Sequence, residues 1–323
     1  MTGTLAALLS RRLILITGKG GTGKTSIAAA LGLLAAREGR RTLLVELGDA
    51  ESVRELFAGE AGAGDRRSRE PEPVGENLFL LQLVPEHALE EYLGLQLHVR
   101  MVARAIVGNA AFHRFLDAAP GWRELITLGK LWHLATLVER SGEPRWPLIV
   151  VDAPATGHGL SLLSAPSVVL DTVRMGPLRR NTDRVHELLT DPAQTWVVPV
   201  TLPEELPANE TLELRARVSQ LGVALGPVIA NGVEPALGLS DPERVLQAVA
   251  RLPEPAPSPL ASKAVLEFAA RHRLARTRMQ REYLDLLARE TGALPLEVAW
   301  LSGGVDAPAG VTALADALQG ALR

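Results

Sequence analysis

The chain has no cysteine. That excludes disulfides, thiolate metal sites and thiol chemistry. It carries only four methionines, and only four of its 34 Lys plus Arg residues are lysines: Lys19, Lys24, Lys130 and Lys263. Neither charge dominates: a formal net charge of −3 provides no basic field for nucleic acid, so no nucleic-acid partner is expected. The longest apolar runs, such as residues 27–36, fall well short of the roughly 20 residues that span a bilayer. Residues 1–12 lack the ordered basic, apolar and cleavage regions of a signal peptide, and the cytoplasm is the expected location. Seven histidines without close pairing suggest no metal cluster.

What is present is an ordinary globular composition, 47% hydrophobic and 22% charged, in 323 residues. That length buries a full core as one large α/β domain or two smaller ones. The most informative stretch is Gly18-Lys19-Gly20-Gly21-Thr22-Gly23-Lys24-Thr25-Ser26. Residues 18–25 fit the phosphate-binding pattern G-x-x-x-x-G-K-[ST]. An apolar run at 13–16 reads as a buried strand before it, and Ala/Leu-rich residues 27–36 read as a helix after it. A strand, a glycine loop and a helix N-terminus together form an anion site. Glycines let backbone approach phosphate, Lys24 reaches the β- and γ-phosphates, and Thr25 ligates Mg²⁺. Two of the four lysines lie in this loop, where a slim point charge on a flexible stem is needed.

Further strands are expected at 41–47, 78–83, 146–152, 195–201, 226–231 and 294–300. Helical patterns lie at 85–140 (broken near Ala119-Pro120-Gly121), at about 167–189, from near Glu204, at 260–291 and at 311–322. Residues 59–76 read as a solvated loop, and 252–259, with four prolines, as a stiff connector. The alternation implies an α/β fold: a doubly wound, mostly parallel sheet of P-loop NTPase type with an inserted helical layer. The strand ending at Asp152 supplies the second half of the site, because a carboxylate at a strand's carboxyl end can hold the Mg²⁺ shell. Ala153-Pro154-Ala155-Thr156-Gly157-His158-Gly159 reads as a flexible turn able to sense a γ-phosphate.

At these residues the chain resembles the ArsA-type ATPases, which include arsenite-pump ATPases and those that target tail-anchored membrane proteins. The loop with Lys19 is similar to the family's deviant Walker A, K-G-G-x-G-K-[ST], and residues 152–163 to its D-x-A-P-T-G-H-T-L-R-L-L segment. Weaker matches keep the family order. They are residues 119–124, Leu202-Pro203-Glu204 with Glu210-Thr211, Ile229-Ala230-Asn231, the Arg276/Gln280/Tyr283/Leu284 set, and Leu294-Pro295-Leu296. The resemblance covers nearly the whole chain. It implies a single ATPase domain over 1–323, with helical subdomain segments at about 85–141 and 165–190. It also implies a homodimer, or a heterodimer with a paralogue, that binds ATP and Mg²⁺ near its interface. Lys19 would act in trans on the partner's ATP, Glu204 would lie near the interface, and Asn231 and Pro295 would hold the adenine. Hydrolysis would open the dimer and drive a protein or membrane client.

Three departures qualify this. The family's water-orienting aspartate is replaced by Gly48, with Asp49 one place late and Glu46 two places early. Either carboxylate takes over the role, or the chain is a nucleotide-binding scaffold with little turnover. The family's C-x-x-C falls near Arg273–Arg276, so no interface zinc is expected, and arsenite capture by thiolate is excluded. The scarcity of methionine argues against a wide, promiscuous groove. The apolar residues of the helical span (Leu89, Leu93, Leu125, Leu128, Leu131, Trp132 and Leu134 among them) fit either a packed layer or a client groove. The basic run Arg271, Arg273, Arg276, Arg278, Arg281 fits a solvated face, an ion-paired interface or a contact with acidic lipid. A partition-ATPase reading shares the deviant loop but not the 152–163 segment.

Overall fold

A computed structural model describes residues 3–48, 52–58, 70–97, 121–235, 242–252 and 262–322. Its frame is one eight-stranded sheet. The strands are β1 (Leu13–Thr17), β2 (Thr42–Leu47), β3 (Glu72–Gly75), β4 (Leu78–Leu83), β5 (Leu148–Asp152), β6 (Thr195–Thr201), β7 (Ile229–Val233) and β8 (Leu296–Ala299). Their order is β3-β4-β2-β5-β1-β6-β7-β8. All pairings are parallel except β3 with β4.

Eleven helices lie among the described residues: α1 (Gly3–Leu9), α2 (Lys24–Arg37), α3 (Ser52–Ala58), α4 (Pro85–Leu97), α5 (Trp122–Thr136), α6 (Thr156–Thr172), α7 (Pro177–Thr190), α8 (Glu205–Gln220), α9 (Pro242–Arg251), α10 (Lys263–Thr291) and α11 (Pro308–Leu322). The sheet is covered on both faces, so its central strands are apolar throughout rather than alternating. Every residue of β1 is buried. Its side chains still alternate between two cores, as the period of a strand requires. Ile14 and Ile16 join α1, α2 and α11 through Leu8, Leu31, Leu34 and Leu318. Leu13 and Leu15 join Leu128 and Leu131 of α5, Leu162 of α6, Leu188 of α7 and Leu214 of α8.

The layer α4–α7 therefore packs on one face of the sheet. Leu89, Leu128, Leu131 and Leu134 are core residues there. Leu93, Leu125 and Trp132 are half-buried. Leu125, Trp132 and Leu178 line a cavity of about 290 Å³ beside the Lys130–Glu91 ion pair. The expected apolar residues of 98–120 lie outside the described residues.

Some expectations need correction. Residues 72–75 are not loop but a short antiparallel edge strand, where the proline is tolerated because no donor is needed on the open side. The turn after Asp152 is shorter than expected. Helix α6 starts at Thr156 and runs through Pro166, which is buried inside it. A break at Val173–Gly176, rather than Pro166, then separates it from α7. Helices α1, α3 and α9 are absent from the sequence reading; α1 and α3 have seven residues each and offer too few turns for a clear period.

Trp146 anchors the edge of the second core. It is 1% exposed and meets Phe79 edge to face at 5.1 Å, with the Arg41 guanidinium 4.9 Å from each ring centre. Its indole N–H has no hydrogen-bond partner. Trp146→Ala is expected to cost about 3–5 kcal/mol. Trp146→Phe keeps the ring contact and removes the orphan donor, so it is expected to cost less than about 1.5 kcal/mol. Urea denaturation of the two variants checks this, and equal losses would contradict it.

Candidate functional site

The sheet's strand order reverses at β1, and the glycine loop leaves its carboxyl end there. Gly18 has φ +150°, and a Cβ on it would lie 2.1 Å from the Val200 carbonyl oxygen of β6. Only glycine lets the loop pass that strand. Gly23, with φ +86°, is the last residue before α2, and a Cβ there would lie 2.3 Å from Asn231 Nδ2. Gly20 and Gly21 border open space instead. The loop is bonded to itself: the Lys19 carbonyl accepts from Thr22 Oγ1 at 2.9 Å and from Lys24 Nζ at 3.0 Å. Ser26 sits in the first turn of α2 and is half-buried.

Register delivers the acidic half. Ile16 of β1 pairs with Asp152 of β5, so the carboxylate ends level with the start of the loop. Thr25 Oγ1 donates to Asp152 Oδ2 at 2.7 Å. Asp152 Oδ1 is shielded from solvent and has no hydrogen-bond partner. Burial pushes the Asp152 carboxyl above the usual carboxylate range, against the Thr25 hydrogen bond and the Lys24 charge. Burial also lowers the Lys24 ammonium, with Asp152 opposing. A hydroxyl and an orphaned carboxylate oxygen beside a lysine are hard oxygen donors that fit Mg²⁺. The helix N-terminus and open loop fit a polyphosphate. Thr156 N donates to the Gly18 carbonyl at 3.1 Å, tying α6 to the loop.

Asn231, in the middle of β7, donates through Nδ2 to the Thr22 carbonyl at 2.9 Å and so joins the site directly. Glu204 caps α8 and lies 3.9 Å from Arg276. Pro295 does not join them. It precedes β8, and the next residue, Leu296, bonds through its N–H to Val228 at the amino end of β7. The site forms at the carboxyl ends, and Trp300, directly after β8, stands there instead: its N–H donates to the Val233 carbonyl at 2.8 Å. Asp49 lies outside the described residues.

Sequence reasoning missed two partners. Lys19 Nζ is paired within its own chain to Glu210 Oε1 of α8, at 2.6 Å. Glu46 is 3% exposed, pairs in register with Asp152 across β2 and β5, and accepts the Val53 N–H at 3.1 Å. It thereby fixes the start of α3. A carboxylate inside an apolar strand was the available signal. The arginines in the place of the expected cysteines are ion-paired, Arg273 and Arg276 both meeting Glu234; farther along the same helix Arg281 meets Glu297.

A profile of the anion-transporting ATPase family matches residues 11–181, which contain both the loop and Asp152. The chain belongs to the ArsA-type ATPases. The Mycobacterium tuberculosis protein named ATPase BagA is 35% identical over 225 residues, covering 70% of this chain and 66% of that protein. ATPase GET3B of Arabidopsis thaliana is 28% identical, covering 70% and 65%. The arsenical pump-driving ATPase of Escherichia coli is 26% identical, covering 69% of this chain and 40% of its own length. About a third of even the first of these relatives is thus unmatched. Among the described residues of this ArsA-type chain, no helix is long and apolar enough to cross a membrane.

Glu46 gives a pH dependence. Burial, reinforced by Asp152 and opposed by the Val53 hydrogen bond, pushes its carboxyl up to about 7. A raised acid favours the protonated folded state. Its stabilising contribution is complete below the ordinary glutamate value of 4.5 and is lost as pH rises through about 7. Without nucleotide or Mg²⁺, the melting temperature of wild type relative to Glu46→Gln is expected to fall between pH 5 and pH 8. Parallel pH profiles for the two proteins would contradict this.

Proposed function

We propose that this chain is a Mg²⁺-dependent ATPase that works as a dimeric switch. The observation that carries the proposal is the Thr25–Asp152 hydrogen bond, with Asp152 Oδ1 left unpartnered beside Lys24. On this reading the whole of 1–323 is one ATPase domain, with 85–141 and 165–190 as its helical subdomain. The phosphates lie along the amides of residues 18–26, Lys24 turns from the Lys19 carbonyl to the β- and γ-oxygens, and Thr25 and Asp152 hold Mg²⁺. Bound Mg²⁺ supplies charge neutralisation on those oxygens. Phosphoryl transfer is governed by positioning and charge, and the chain supplies both.

Lys19 is the trans element. It gives up Glu210 and reaches the nucleotide of a second subunit, either another copy or a paralogue. The switch acts in the cytoplasm on a protein or membrane client. A second reading is favoured by Gly48, which has no side chain to orient water: a nucleotide-binding scaffold with negligible turnover. Arsenite pumping is not part of the proposal.

Steady-state hydrolysis with Mg²⁺, together with ATP binding and light scattering, tests these roles. Lys24→Ala is expected to weaken ATP binding at least about tenfold. Lys19→Ala is expected to leave binding within about threefold and lower turnover about a hundredfold or more. Undiminished turnover in Lys19→Ala rules out the trans role. Wild type that binds ATP without hydrolysing it leaves the scaffold.

A further inference from the structure

The carboxyl rim beyond the phosphate loop holds an exposed aromatic residue that the proposed chemistry does not yet use. Trp300 follows β8 directly and is 53% exposed. Its backbone is fixed by the N–H bond to Val233, and its ring lies against Gly232, where a Cβ would come within 3.4 Å of it. The Arg276 guanidinium lies 5.8 Å from the ring centre. Arg276 is itself held by Glu234 at 3.3 Å, with Glu204 at 3.9 Å. One residue before Gly232, Asn231 is bonded to the loop carbonyl of Thr22. The ring therefore packs against β7, the same strand that braces the phosphate cradle.

We infer that Trp300, braced by Arg276 and Gly232, is the stacking platform for the purine base of the bound nucleotide. The inference rests on the nucleotide site proposed above and names the residue that grips its base. A large π-face held in place loses little freedom when a base lands on it, and a nearby guanidinium adds a cation–π contact. Stacking of a base on an aromatic side chain is substantial and tolerant of base identity, because every base has a π-face. The contribution of Trp300 is therefore shared by adenine and guanine nucleotides and absent for a ligand with phosphates alone. Hydrogen-bonding selectivity between the two bases falls to other groups, Asn231 among them.

Calorimetric titration of wild type, Trp300→Ala and Trp300→Phe with Mg²⁺ and ATP, GTP or inorganic tripolyphosphate tests this. Trp300→Ala is expected to weaken ATP and GTP each about tenfold or more and leave tripolyphosphate within about twofold. Trp300→Phe retains most of the nucleotide affinity. Equal ATP affinity in wild type and Trp300→Ala overturns the inference while the nucleotide site stands. So does an equal loss for all three ligands, which marks damage to the loop. So does a change in oligomeric state with unchanged affinity, which makes Trp300 an interface residue. Wild type that binds none of the three overturns the nucleotide reading itself, and this inference with it.

Discussion

Everything at the site depends on one registration between neighbouring parallel strands, Ile16 of β1 beside Asp152 of β5. A slip of one residue would turn the carboxylate to the opposite face of the sheet. The register is held by side chains buried on both faces, Ile14 and Ile16 in one core, Leu13 and Leu15 in the other. Packing far from any ligand thus sets where Thr25 meets Asp152. The glycine loop adds a second constraint from the other neighbour of β1, since Gly18 passes β6 with no room for a methyl group.

What was legible in the sequence follows from range. The loop, its flanking strand and helix, and the strand ending in Asp152 are local patterns, and each lies where its spacing implies. Asn231 enters by resemblance as an adenine contact, and in the structure its amide is bonded to the loop carbonyl of Thr22. Pro295 enters by the same resemblance and precedes β8, away from the strand's carboxyl end: a short motif locates the strand but not which of its ends the residue occupies. The Lys19–Glu210 pair joins residues 191 positions apart, and no periodicity carries such information. Glu46 was noticed only as a displaced substitute; its bond to Val53 depends on the path of the chain after β2.

Charge in this molecule is handled by pairing more than by exposure. Two carboxylates, Glu46 and Asp152, sit side by side at the ends of adjacent strands, and burial disfavours ionisation of both. Lys24 is also partly desolvated, and its ammonium donates to the Lys19 carbonyl of its own loop. On α10, Arg273 and Arg276 converge on Glu234, a side chain only 9% exposed. An ionic clasp of this kind is indifferent to redox conditions.

The amide of Asn231 touches both Thr22 and the space that a side chain at position 23 would need. It acts as a strut between the phosphate loop and the middle of β7. The spacing between the phosphate loop and the rim at Gly232 is therefore set by one short side chain. A ligand reaching from one to the other would meet a distance that the length of an asparagine decides.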